Sequence, residues 1–250
     1  MSERPLASDK PNCELVAFIP ARAGSKRLKR KNLMPLGGKP LVRWTLDTAL
    51  ASGCFDYVIV SSDEPEVLQQ AREAGALGIE RPAELASDDA RVVDAVVHGL
   101  DSLAKEGIRP EQLMLLQPTS PFRSTEDIKQ ATVLMAEKDS DAVISMCPAE
   151  HPPFWSGTIP SDLGMSDFLE ASGLRNPPRQ GDGYYRLNGA IYLVKVRRLL
   201  ESGTFFLDNT HALVMPRERS VDIDTQLDFS FAEFLFSKGL YRSDVHQERS

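Results

Sequence analysis

LVAFIPARAGSKRLKRKN, residues Leu15 to Asn32, is the stretch whose reading decides the fold. Leu15 to Ile19 is an unbroken apolar run, the pattern of a strand buried on both faces of a sheet, and it stops at Pro20. A loop follows at once, carrying Arg22, Lys26, Arg27, Lys29, Arg30 and Lys31 within ten residues and no acid among them. Gly24 and Ser25 let backbone amides approach a ligand just past the strand end, while Lys and Arg side chains close over the concavity. A polyphosphate fits such a cradle. The G-x-x-x-x-G-K-[ST] and G-x-G-x-x-G patterns are both absent, so ATP hydrolysis and hydride transfer lose ground.

Working outward, the remaining chain makes this loop an exception. The 250 residues hold 29 Lys and Arg against 36 Asp and Glu, a net charge of −7. Without the six loop cations, 23 basic residues would face 36 acids. A molecule of that sign repels polyanions as a whole, and the loop has no aromatic to stack on a base, so a nucleic-acid partner is not expected. Apolar residues at 42% support a buried core. Three dispersed cysteines (Cys13, Cys54, Cys147) form no zinc pattern or disulfide framework and suggest a reducing compartment, the cytoplasm. No stretch approaches the length of a membrane span.

Strand and helix signals alternate downstream. Pro40 opens a helix over LVRWTLDTALAS that Gly53 stops, Tyr57 to Val60 reads as a strand, and Pro65 to Gly75 as a helix. Val92, Val93, Val96, Val97, Leu100 and Leu103 form one helical stripe. Leu113 to Leu116 is a strand, Ser124 caps a helix to about Lys138 with Asp127 at its third position, and Ala142 to Met146 is the next strand. Ala190 to Val194 and Ala212 to Met215 resume as strands before a last helix, Thr225 to Lys238, ended by Gly239. The expectation is an α/β fold with a mostly parallel sheet flanked by helices, whose ligands bind at the carboxyl ends of the strands. Between Pro148 and Leu187 the rhythm breaks and six of the 17 prolines fall in 40 residues, which reads as an insertion of short strands or an arm. The expected organisation is a frayed start over 1–14, a core over 15–147 and 187–240, an insertion over 148–186 that packs against another subunit, and a tail over 241–250.

Three further motifs carry chemistry. In SVDIDTQLDF, Asp222 and Asp224 alternate on an extended segment and point to one side, so both carboxylates can converge on a hard cation; the competing use of Asp224 or Thr225 is to cap the last helix. LLQPTSPFRS places Gln117 in a rigid loop at a strand end. In YYRLNGAIYL, Arg186 and Asn188 precede a strand that holds Tyr192; Arg suits a planar carboxylate and Asn suits sugar hydroxyls. The four histidines are scattered with no metal spacing and read as structural or surface residues.

Together and in this order, these segments resemble the acylneuraminate cytidylyltransferases, from about Leu15 to Leu240. IPARAGSKRLKRKN is similar to that family's phosphate loop, RPAELASDDA (Arg81 to Ala90) to its cytidine-binding stretch, and the last three motifs to its later ones. The resemblance implies a Rossmann-like nucleotidyltransferase with a small dimerisation insertion, transferring CMP from CTP to a nine-carbon 2-keto sugar acid with release of pyrophosphate. It implies that Arg22, Ser25, Lys31 and Asn32 hold the triphosphate, with Arg22 and Lys31 catalytic, and that Arg81 and Ser87 lie against cytosine and ribose. Gln117, Arg186, Asn188, Tyr192 and Phe206 are expected in the sugar site, with Arg179 supplied across a homodimer, and Asp222 and Asp224 hold Mg²⁺. Where sialic acid members carry His-Pro-Leu-Lys, this chain has His151-Pro152-Pro153-Phe154-Trp155, closer to legionaminic acid activating relatives. Octulosonate enzymes typically have Ser-Thr-Arg where this chain has Ser25-Lys26-Arg27, and lack the Lys31-Asn32 pair. A pseudaminic acid enzyme and a silent nucleotide-binding scaffold compete with the legionaminic and sialic acid reading.

Overall fold

Leu15 to Ile19 lie within β1 (Cys13–Pro20), which begins at Cys13, inside the stretch expected to be frayed. The structure is a computed structural model that describes residues 13–24, 27–87, 89–171 and 183–242. Ser25, Arg179 and His246 therefore lie outside the described residues. Two short strands, β2 (Pro35–Leu36) and β3 (Lys39–Pro40), form a hairpin, and β4 (Tyr57–Ser62), β5 (Leu77–Glu80), β6 (Pro110–Leu115), β7 (Ala142–Pro148), β8 (Tyr185–Lys195) and β9 (Thr210–Val214) join β1 in a seven-stranded sheet of order β5-β4-β1-β6-β8-β7-β9. β8 runs antiparallel to both neighbours, and all other pairings in this sheet are parallel. The parallel reading thus holds except at β8. β5 was not anticipated, because LGIE is short and only half buried.

The helices are α1 (Leu41–Ser52), α2 (Pro65–Glu73), α3 (Ala83–Ala86), α4 (Val92–Lys105), α5 (Thr125–Glu137), α6 (Ser166–Ala171), α7 (Val196–Ser202) and α8 (Gln226–Lys238). α1, α2 and α5 cover one face of the sheet and α4 and α7 the other. Ala17 and Ile19 of β1 enter the first layer, Val16 and Phe18 the second, which explains why the run must be apolar throughout. Full burial of Phe18 and Ile19 stabilises by about 1.5–3 kcal/mol each. α4 sits so close on β1 that a Cβ at Gly99 would meet the Phe18 ring at 2.4 Å.

A third apolar cluster brings the two ends of the fold together. Leu28 and Leu36 pack with Val221, Ile223 and Phe229 of the C-terminal region, and Trp44 meets Phe122 and Phe236 edge to face at 6.1 and 5.5 Å. α5 and α8 begin with the same device: Ser124 and Thr225 each accept from the backbone N–H of an aspartate three residues on, which accepts in return. The cap of α8 is therefore Thr225, leaving the Asp224 carboxylate for other work.

Of the short strands or arm expected of the insertion, the described residues hold no strand of their own. Its flanking strands run to Pro148 and from Tyr185, so Tyr185 and Arg186 belong to the sheet, and the described part holds a 3-10 turn at Pro153–Trp155 and α6 but no strand. Among the described residues of the insertion, Pro152, Pro153 and Pro160 lack the backbone donor and dihedral freedom that a strand ladder requires. Among the described residues no helix is long and apolar enough to cross a membrane.

Candidate active site

β4 and β5 are laid down on one side of β1 and β6 on the other, so the strand order reverses between β1 and β6. A crevice opens at the carboxyl ends of strands at such a reversal. Here it is a cleft of about 560 Å³, lined by Pro20, Arg22 and Gly24 beyond β1, Gln117 to Thr119 beyond β6, Arg27, Lys31 and Asn32 of the basic loop, Arg81, and Asp222 and Asp224. The N-terminal cations and the C-terminal carboxylates thus share one cavity.

Each wall is fixed by bonds that can be traced. The backbone N–H of Ala23 donates to Asp63 (2.8 Å), and the Asn32 side chain donates to the Arg22 carbonyl (2.8 Å), so Asn32 shapes the loop from beneath. Arg22 reaches across to donate to the carbonyls of Ala86 (3.3 Å) and Ser87 (2.8 Å). Lys31 Nζ donates to the Ile223 carbonyl and to Asp224 Oδ1, both at 2.8 Å. Arg81 is buried and donates to the hydroxyl and carbonyl of Ser61 at 3.1 and 2.9 Å; burial lowers its pKa to about 10, so it stays cationic at neutral pH.

Beneath the floor lies Arg123, which sequence reasoning missed. It donates to the Ala190 carbonyl (2.9 Å), the Thr45 hydroxyl (2.7 Å) and the Gln117 carbonyl, tying the end of β6 to β8 and α1. Desolvation pulls its pKa down to about 9, with Asp127 and Asp222 opposing. Gly189, also missed, has φ +72°, and a Cβ there would meet Gln117 Oε1 at 2.9 Å and Asp222 Oδ2 at 3.6 Å. The glycine allows both side chains to approach the backbone of β8. An apolar flank around Arg123 and the Asn-Gly pair were the available signals.

Several expected residues stand elsewhere. Arg30 adopts a left-handed φ of 53° and gives its guanidinium to Glu64 (2.7 Å) and Glu66 (2.6 Å), away from the cavity lining. Asn188 lies within β8 and is 1% exposed; its amide oxygen accepts from Ser145 (2.6 Å) and the Ala190 N–H, and its amide nitrogen donates to Ser220 (2.9 Å). It organises the floor and has no free edge for a sugar, a correction to its expected role. Ser87 spends its hydroxyl on the Glu84 carbonyl and reaches the site through its own carbonyl. Arg186, also inside β8, grips Glu150 in a fork of 2.9 and 3.0 Å and is not among the residues lining the cleft. Tyr192 packs against Phe205 and the exposed Phe206, and none of the three lines the cleft.

Asp222 and Asp224 suit a hard cation. Asp222 opens to the cleft, yet enough protein surrounds it that desolvation raises its pKa, and the neighbouring Asp224 charge adds to the rise. Two oxygen-donor carboxylates in one cleft, Asp222 with its charged form disfavoured, fit a divalent ion. No cluster of three or more His, Cys, Asp or Glu side chains able to hold a metal occurs among the described residues, so the remaining ligands would come from substrate and water.

Sheet, cleft and cradle together define a Rossmann-like nucleotidyltransferase. The fold resembles a CMP-2-keto-3-deoxy-manno-octonic acid synthetase solved with CTP (TM-score 0.66, 17% identity, covering 90% of this chain and 99% of the other). Residues 16–162 match the family described as Cytidylyltransferase, and the chain belongs to it. It is 34% identical over 228 residues to a CMP-N,N'-diacetyllegionaminic acid synthase of Legionella pneumophila, covering 88% of this chain and 95% of that one. An N-acylneuraminate cytidylyltransferase of Escherichia coli is 34% identical over 88% of this chain and 51% of its own length. A pseudaminic acid cytidylyltransferase of Campylobacter jejuni is 29% identical over 88% of this chain and 95% of its own.

Proposed function

We propose that this enzyme transfers CMP from CTP to the anomeric hydroxyl of a nine-carbon 2-keto sugar acid, legionaminic or N-acetylneuraminic acid, releasing pyrophosphate. The observation that carries the reading is the convergence of Arg22, Lys31, Gln117, Asp222 and Asp224 on one cleft at the sheet reversal. Arg22, Lys31 and the Ser25 segment hold the triphosphate, Arg81 and the Ser87 turn flank cytidine, and Gln117, Arg186, Tyr192 and Phe206 face the sugar, with Arg179 contributed by a second subunit. The anomeric oxygen bonds to the α-phosphorus as the bridging oxygen to pyrophosphate departs in line. Lys31 and Arg22 stabilise the charge that grows on the phosphoryl oxygens, and the rigid loop after β6 orients the attacking hydroxyl. Mg²⁺ held by Asp222 and Asp224 would neutralise the phosphates and acidify that hydroxyl. No side-chain nucleophile is required.

The insertion supports a homodimer, because Trp155, Ile159, Leu163 and Met165 expose about half or more of their surfaces in a short described segment. Three free cysteines fit a reducing cytoplasm. The decisive assay measures pyrophosphate release from CTP with legionaminic, N-acetylneuraminic, pseudaminic and octulosonic acids, with Mg²⁺ and after chelation. Release with the first two, abolished by chelation, is expected. Preference for pseudaminic or octulosonic acid would move the substrate, and CTP binding without release from any acid would leave a nucleotide-binding scaffold.

A further inference from the structure

Arg186 is satisfied before any substrate arrives. Its Nε donates to Glu150 Oε2 at 2.9 Å and its Nη2 to Glu150 Oε1 at 3.0 Å, the parallel two-bond geometry a guanidinium offers a carboxylate ligand. Arg217 Nη2 stands 3.4 Å from Oε1 of the same carboxylate, the oxygen that Arg186 Nη2 also reaches. The guanidinium also feels the charge of Asp222 on the cleft floor, which places it within electrostatic reach of the reacting groups. Both partners are about two-fifths exposed, so solvent reaches the pair and an incoming group can exchange with it.

We propose that Glu150 is a specificity-determining residue: its carboxylate occupies the Arg186 fork in the empty site, and the carboxylate of the sugar acid enters by displacing it. The inference rests on the reading that Arg186 receives that carboxylate. Displacement exchanges one carboxylate for another at the fork, so Arg186 does not lose its countercharge. A neutral sugar has nothing of equal strength to offer and leaves the fork shut. The tether sets the threshold, because Glu150 competes at the high effective concentration of a neighbouring group on the same chain.

Initial rates of pyrophosphate release with legionaminic acid test this in three variants. Glu150→Gln keeps the shape and weakens the competitor, so the sugar KM should fall by about two- to fivefold, the scale of a solvent-exposed pair, while kcat and the CTP KM stay within twofold. An unchanged or raised sugar KM overturns the proposal, a rise making Glu150 a support for Arg186. Arg186→Ala should raise the sugar KM at least tenfold. In the double variant Glu150→Gln with Arg186→Ala, the gain from Glu150→Gln should vanish; a gain that persists overturns the proposal, since it does not pass through Arg186. If Arg186→Ala alone leaves the sugar KM untouched, the role of Arg186 falls and the proposal with it, whereas a failure of Glu150→Gln alone leaves that role standing. A cooperative melting transition of Glu150→Gln that stays well above the assay temperature excludes a folding effect.

Discussion

Lys31 is the side chain on which most of the proposed chemistry rests. Twelve per cent of its side chain is exposed, and its ammonium is held between the Ile223 carbonyl and Asp224, in the lining of the cleft proposed to take the phosphates. Lys31→Ala should lower kcat by about 10²- to 10³-fold, the usual loss for one preorganised donor, with folding retained; single-turnover rates would check it. Glu150 provides the pH test. Hydrogen bonds from Arg186 hold its carboxyl at about 2, well below its ordinary 4.5. A depressed acid stabilises the folded state fully above the unfolded pKa and loses that contribution as pH falls toward the folded one. The gap in urea midpoint between the parent and Glu150→Gln should therefore be constant above about pH 5 and narrow below it.

At the scale of elements, the decisive join lies between the start of α5 and the turn before residue 220. Asp127 caps α5 and also accepts both prongs of Arg219 at 2.9 and 3.1 Å, with 2% of its side chain exposed. Removing it would strip a largely buried guanidinium of this carboxylate and take away the side-chain half of the capping box, leaving the Ser124 half in place, so Asp127→Ala should destabilise by about 3–5 kcal/mol in denaturant titration. The elements that position the site were largely legible in sequence. Pro-in, Gly-out punctuation marked α1 and α2, and Ser124 with Asp127 marked α5, because these signals act within a few residues. Arg22, Lys31, Gln117, Asp222 and Asp224 were legible for the same reason: each follows a strand or sits in a local pattern. Asn188 was misread because its partners, Ser145 and Ser220, come from distant segments that only the fold brings together. Arg123 went unseen because its partners on β8 and α1 are distant in sequence, and Arg30 was counted with the loop cations because one spent on Glu64 looks, in sequence, like one free for a ligand.

For the whole molecule, the insertion is the surface that bears on assembly. Its exposed Trp155, Ile159, Leu163 and Met165 should be covered by a second subunit, and sedimentation velocity should return twice the 27.7 kDa chain mass. Trp155→Glu should shift that mass toward the monomer; a parent that sediments as a monomer would leave these side chains without a partner.

The Lys31 to Asp224 contact spans 193 residues. During synthesis, the amino-terminal half of the cleft is therefore made long before its acidic counterpart leaves the ribosome. Chains terminated before Val221 would carry a cationic cradle with neither the countercharge nor the Val221, Ile223 and Phe229 side chains that pack beneath it. Such fragments would expose a sticky basic patch with no catalytic outlet. If the cleft works as proposed, its two halves meet only once the chain has been made as far as Asp224.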